Sequence, residues 1–178
     1  MKAAAPLAQT IYFTCGDFRF TRAPSVLPTG IQLLGCGSVG STPGYGTHLI
    51  VDYNEVQPEQ GFLEWDGSYA SGFVGTGGGI VNLGITKNAN RSGGTGVKVT
   101  GSSDSHRAGF FHIYNVFIFA EEGGSWMHDL VVDGLCCKTS GTQGIRDLYI
   151  SGLSAASATT GANAVIFRNT VNVSWQGG

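Results

Sequence analysis

The chain has 178 residues and a formal charge of −2, the size of one domain with a core of its own. Glycine contributes 29 residues, about twice its usual share, and charged residues 12%, about half of theirs. Ten lysines and arginines against twelve acids exclude a basic nucleic-acid binder, which needs clustered cations, and the absence of an Ala/Glu/Lys/Leu/Arg-rich pattern excludes a coiled coil.

Residues 1–9 faintly suggest a signal peptide, but the apolar stretch is broken by Pro6; they read as an N-terminal arm or end cap, ahead of a single domain over 10–178. Strands are expected over 10–13 and 18–20, flanking the turn signal Cys15-Gly16-Asp17. Ile31-Gln32-Leu33-Leu34 follows Leu27-Pro28-Thr29-Gly30 and precedes Gly35-Cys36-Gly37. After a loop over 41–46, strands are expected over 49–51, 62–65 and 79–81. Gly77-Gly78-Gly79 is a turn or a close backbone approach and not a phosphate loop, because no helix follows it and no Walker sequence is present. No run approaches the ~20 apolar residues of a spanning helix, so no membrane insertion is expected.

From residue 82 onward a short pattern recurs: Asn or Asp, then alternating apolar residues, then glycine close behind. Asn82-Leu83-Gly84-Ile85, Asn115-Val116-Phe117-Ile118, Asp129-Leu130-Val131-Val132 and Asp147-Leu148-Tyr149-Ile150 are copies, and 169–173 is a copy shifted by one residue. Gly96-Val97-Lys98-Val99 has the alternation alone. Alternate side chains of a strand face opposite ways. Leu83/Ile85, Val97/Val99, Val116/Ile118, Leu130/Val132, Leu148/Ile150 and Val171/Val173 should therefore each point one way. One such strand cannot bury its pair alone; stacking the strands buries a continuous column. The leading positions are unevenly spaced, so some copies should lie on different sheets of neighbouring turns.

The run Ile11-Tyr12-Phe13, Phe18-Arg19-Phe20 and 27–37, with the later Asn/Asp-led strands, resembles pectin-lyase-like right-handed parallel β-helices of the phage tailspike and virion-appendage type. The resemblance implies an all-β chain, a three-sheet solenoid with turns of about 20–30 residues, hence roughly six to eight turns. An antiparallel jelly roll, with similar short strands and Gly/Pro turns, is the alternative.

The cysteines, Cys15, Cys36, Cys136 and Cys137, have no zinc-knuckle spacing; they read as small buried thiols, with a disulfide framework as the lesser reading. No cofactor is expected. Glycoside cleavage needs two carboxylates across the bond. Asp129 and Asp133 bracket one strand, and Asp129 and Asp147 could stack on adjacent coils, which makes these three the weak catalytic candidates. The Asn-Thr-Asp, Asp-Asp, Gly-His-Gly and Arg-Ile-Lys motifs of polygalacturonase-like enzymes are missing, and the Asn/Asp positions read better as corner caps. Ser105-His106 reads as a solvated loop, and a metal site from His112, His128 and Asp129 as a remote possibility. The outward aromatics expected at Phe117, Phe119 and Tyr149, with Trp65, Tyr69 and Trp126, suit a subunit interface or a glycan surface. The expected function is a structural virion protein, a capsid decoration or tailspike-like appendage. It is expected to form a homotrimer and to contact other virion proteins and surface polysaccharide, in an extracellular particle or else secreted. A polysaccharide lyase or hydrolase, or a non-catalytic glycan-binding relative, is the alternative.

Overall fold

A computed structural model describes residues 9–28, 30–37, 46–67, 78–101, 108–109, 111–134, 145–155 and 164–176. The strands are β1 (Gln9–Tyr12), β2 (Gly16–Phe20), β3 (Leu27–Pro28), β4 (Ile31–Leu34), β5 (Thr47–Val51), β6 (Gly61–Asp66) and β7 (Gly78–Lys87). They continue as β8 (Thr95–Thr100), β9 (Ala108–Gly109), β10 (Phe111–Ala120), β11 (His128–Asp133), β12 (Ile145–Ala155), β13 (Val165–Arg168) and β14 (Thr170–Gln176). Every strand pairing among the described residues is parallel. The chain is thus an all-β parallel solenoid, and the antiparallel jelly roll is excluded.

One sheet has nine strands and the other five, yet the coil has three faces, because the long strands of the larger sheet bend. The first face stacks β1, β4 and the first parts of β7, β10 and β12, with β14 last. The second stacks β2, β5 and the later parts of β7 and β10. The third is the smaller sheet, in the order β3-β6-β8-β11-β13.

The bends sit at Asn82 and Asn115, with φ of 56° and 50°. Asparagine enters this left-handed region more readily than most residues because its short side chain can bond locally. The two asparagines lie on successive coils, and Asn115 Nδ2 donates to Asn82 Oδ1 at 2.9 Å. The next coil has Gly152 at the same level, φ 63°. Asn82 and Asn115 therefore do not precede strands, as the sequence pattern suggests, but turn one long strand from face to face. Asn169, φ 52°, turns the chain from the third face back to the first.

The interior is a set of registered columns. On the first face Ile11, Leu33, Ile80, Ile113, Ile150 and Trp175 stack. On the second, Phe18, Leu49, Ile85, Ile118 and Ala155 do so. On the third, Trp65, Val99, Val132 and Phe167 stack. Leu83, Ile85, Val97, Val99, Val116, Ile118, Leu130, Val132 and Ile150 are all buried, as the alternation predicts. The partner of Val116 on the following coil, however, is Leu153, not Leu148. In the middle of the stack partners lie 33 to 37 residues apart, Leu83 to Val116 to Leu153, and the six levels of the first-face column are joined by five turns, where the resemblance implied six to eight.

Cys15 and Cys36 form a disulfide, which corrects the reading of both as thiols. The bonding around buried Thr47 fixes the pair. Its Oγ1 accepts from Cys36 N at 2.9 Å and donates to Thr14 O at 3.0 Å, drawing the end of β4 against the β1–β2 turn. Cys136 and Cys137, residues 1–8 of the expected arm, Tyr69, and Ser105-His106 lie outside the described residues; Gln9 opens β1.

Candidate functional surface

The outward side of the first face follows from strand alternation. One outward row is Tyr12, Leu34, Val81, Tyr114, Ser151 and Gln176. The other is Thr10, Gln32, Gly79, His112, Tyr149 and Ser174. Across both rows there is no Asp, Glu, Lys or Arg. Tyr12 is 74% exposed and Tyr114 50%. His112 and Tyr149 meet edge to face at 6.1 Å between ring centroids, and Tyr149 Oη donates to Gln176 Oε1 at 3.3 Å.

Charge is concentrated elsewhere. On the second face Arg19 Nη1 reaches Asp52 Oδ2 at 2.7 Å, while Arg91 Nε and Asn88 Nδ2 reach Asp52 Oδ1 at 2.9 and 3.0 Å. These three donors, Asn88 first, hold the Asp52 carboxyl well below the usual carboxylate range. On the third face Lys98 pairs with Glu64 at 3.3 Å, and Arg168 bridges Glu59 and Asp133 at 3.3 and 3.4 Å. Glu59 above all, and then Asp133, stabilise the Arg168 charge against an opposing effect of burial.

The catalytic candidates are not brought into one site by stacking. Asp129 and Asp133 are both in β11 on the third face, whereas Asp147 is in β12 on the larger sheet. The expectation that Asp129 and Asp147 stack is thus corrected: the smaller sheet places Gly96, not Asp147, level with Asp129. Asp133 serves the corner, accepting from Asn169 Nδ2 at 3.3 Å as well as from Arg168. His112 and His128 stand on different sheets. Among the described residues no three His, Cys, Asp or Glu side chains are grouped to hold a metal.

The expected aromatics divide. Trp65 and Trp126 are interior residues and not surface ones. Trp65 Nε1 donates to Ile31 O and Trp126 Nε1 to Phe119 O, both at 2.9 Å, so each indole satisfies its one donor inside. Phe117 and Phe119 are half-buried and pack edge to face at 5.1 Å, with Phe119 also against His48. Of the described expected aromatics, Tyr149 alone is exposed.

Sequence reasoning did not place Tyr12, Tyr114 and His112 on this surface. The available signal was a phase slip: Phe111 and Ile113 face in, then Val116 and Ile118 do, with Asn115 as the extra residue at the bend. It also missed Lys87, which is buried, its Nζ without a hydrogen-bond partner. The ammonium lies 4.4 Å from the Trp126 ring centroid and 5.1 Å from that of Tyr53. Burial lowers the Lys87 pKa to about 8, against an opposing pull from Glu55, and raises that of Tyr53 to about 12.

No protein-family model, curated protein or solved structure matches the chain.

Proposed function

We propose that this chain is a structural virion protein, a capsid decoration or tailspike-like appendage of a phage, whose β-helices associate side by side as a homotrimer. The two uncharged outward rows of the first face carry the reading. A surface without charge can be buried between copies without stripping water from an unpaired ion. Exposed Tyr12 and Tyr114 supply broad apolar area with few side-chain torsions to freeze. Kinship with pectin-lyase-like β-helices, carried by the run over 11–37, is part of the proposal.

Light scattering tests it: a mass three times that of the 18.6 kDa chain is expected, insensitive to added salt because no exposed ion pair is screened. Tyr114→Glu should abolish this side-by-side trimer. A monodisperse wild-type monomer at micromolar concentration overturns the trimer, and failure of antibodies against the chain to label purified particles overturns the virion role.

A non-catalytic glycan-binding role for the same face is the second reading, favoured by the paired His112 and Tyr149 rings with Gln176 alongside. Glycan-array binding lost in Tyr149→Ala would support it. The lyase or hydrolase reading has less support, since Asp129 and Asp147 lie on different sheets.

A further inference from the structure

A solenoid that does not close on itself has two ends, and each ends in strands with one free edge. Natural proteins guard such edges with charge, proline or very short strands. Most terminal strands here are guarded. β2 carries Asp17 and Arg19, β13 carries Arg168, and β3 is two residues long and contains Pro28. The longer exceptions are β1, Gln-Thr-Ile-Tyr, and β14, Thr-Val-Asn-Val-Ser-Trp-Gln, which contain neither charge nor proline; the end of β12 past Gly152 also lacks both but is only three residues long.

These two strands are the opposite ends of one face. Among the described residues β1 pairs with β4 alone, and β14 with β12 alone. All four residues of β1 are exposed. The inward column of that face runs from Ile11 to Trp175, and both terminal members are 41% exposed while those between them are buried. Trp175 packs edge to face on Phe167 at 5.8 Å, so its ring is held across the end of the column.

We infer that the β14 end of one copy docks on the β1 end of a second copy, continuing the parallel ladder from molecule to molecule. A parallel stack makes its two ends complementary, since the face that β14 offers is the face against which each earlier coil receives the next. Ile11 of the incoming copy would continue the column beyond Trp175, with Tyr12 level with Gln176 and Thr10 level with Ser174, the register that the column already keeps inside the molecule. The absence of charge on either strand means that no unpaired ion is buried when the two edges meet. The contact is heterologous and does not close, so it builds rods. It uses the ends of the coil and stands apart from the side-by-side association proposed above.

The experiment is sedimentation velocity over a concentration series, with negative-stain microscopy, on the wild-type chain and on Tyr114→Glu, which removes lateral association. In Tyr114→Glu the average mass should grow with concentration in steps of the 18.6 kDa chain. Ile11→Asp or Trp175→Asp, added singly, should each abolish that growth. An equimolar mixture of these two should reach twice the unit mass and stop, because one sound β14 end and one sound β1 end remain between them. Growth that persists in either variant, or a mixture no heavier than its parts, overturns the inference. A mass independent of concentration in both parent chains, with no rods, overturns it whatever the variants do, and leaves the lateral reading to its own test.

Discussion

Lys87 occupies an interior position, level with Val51 on the coil before and Ala120 on the coil after. Its stem fills space that an aliphatic residue would fill, and its ammonium rests against the Trp126 and Tyr53 rings. Ring faces attract a cation, but they replace the lost hydration only in part. The folded chain therefore prefers Lys87 neutral, with a pKa near 8 against an ordinary 10.5. A depressed folded pKa gives stability that is full above the unfolded value and is lost as pH falls through the folded one. Tyr53 acts in the other direction: its phenol, raised to about 12, loses stability for the fold as pH climbs above 10. The denaturant midpoint should accordingly rise between pH 8 and 10, toward a full effect of about 3 kcal/mol. In Lys87→Met the same interval should be flat. That variant should also be more stable than wild type at pH 7 by roughly 1–3 kcal/mol, since a well-packed apolar side chain replaces a buried charge. A lower midpoint for Lys87→Met at pH 7 would mean that the rings do more for the ammonium than burial takes away.

At the scale of the strand, the corner asparagines set the architecture. Asn115 holds a positive φ and bonds to Asn82 one coil away. Asn115→Ala puts a residue with no local bonding partner into the left-handed region and removes that bond; a loss of about 1–2 kcal/mol is expected. Asn115→Gly keeps the backbone relaxed and should lose less, and thermal melts of the two variants make the comparison. The same residues show how far the sequence could be read. Pairs such as Leu83/Ile85 and Val97/Val99 were legible because a strand with one buried face must alternate. The bend was not, because an asparagine leading a strand and one turning it look alike until the alternation before it, Ile80 or Phe111/Ile113, is seen to slip by one. Turn length was hidden too, since each coil crosses three faces through loops of unequal length. The outward tyrosines fell on the unread side of that slip. Lys87 follows directly after the Asn82-Leu83-Gly84-Ile85 copy and Thr86, where a charged residue signals the end of a buried run, and only the ring pair folded over it makes the interior tolerable. The Cys15–Cys36 link, 21 residues apart, depends on a register between β1 and β4 that no local pattern announces. Its removal in Cys15→Ser/Cys36→Ser should cost about 3 kcal/mol. Amide exchange should quicken first in β1 and β2, which have only one neighbouring coil to hold them.

Across the whole molecule, stability is a sum over coil-to-coil contacts, and a residue's worth depends on how many coils it touches. Ile113 is buried between Ile80 and Ile150, with coils on both sides. Ile11 occupies the same column but among the described residues has a column neighbour on one side alone, Leu33, and is 41% exposed. Ile113→Ala leaves a cavity that the registered neighbours cannot close without shifting two ladders, and should cost about 2–5 kcal/mol. Ile11→Ala should cost under about 1 kcal/mol in the isolated chain, because water already reaches that site. Exchange should separate them further. Ile113→Ala should speed exchange in β7, β10 and β12 together, as its column crosses all three, while Ile11→Ala should speed exchange in β1 alone. Equal losses in midpoint for the two variants would mean that the coils do not stack as independent nearest-neighbour units and that the end strands hold the fold as firmly as its middle.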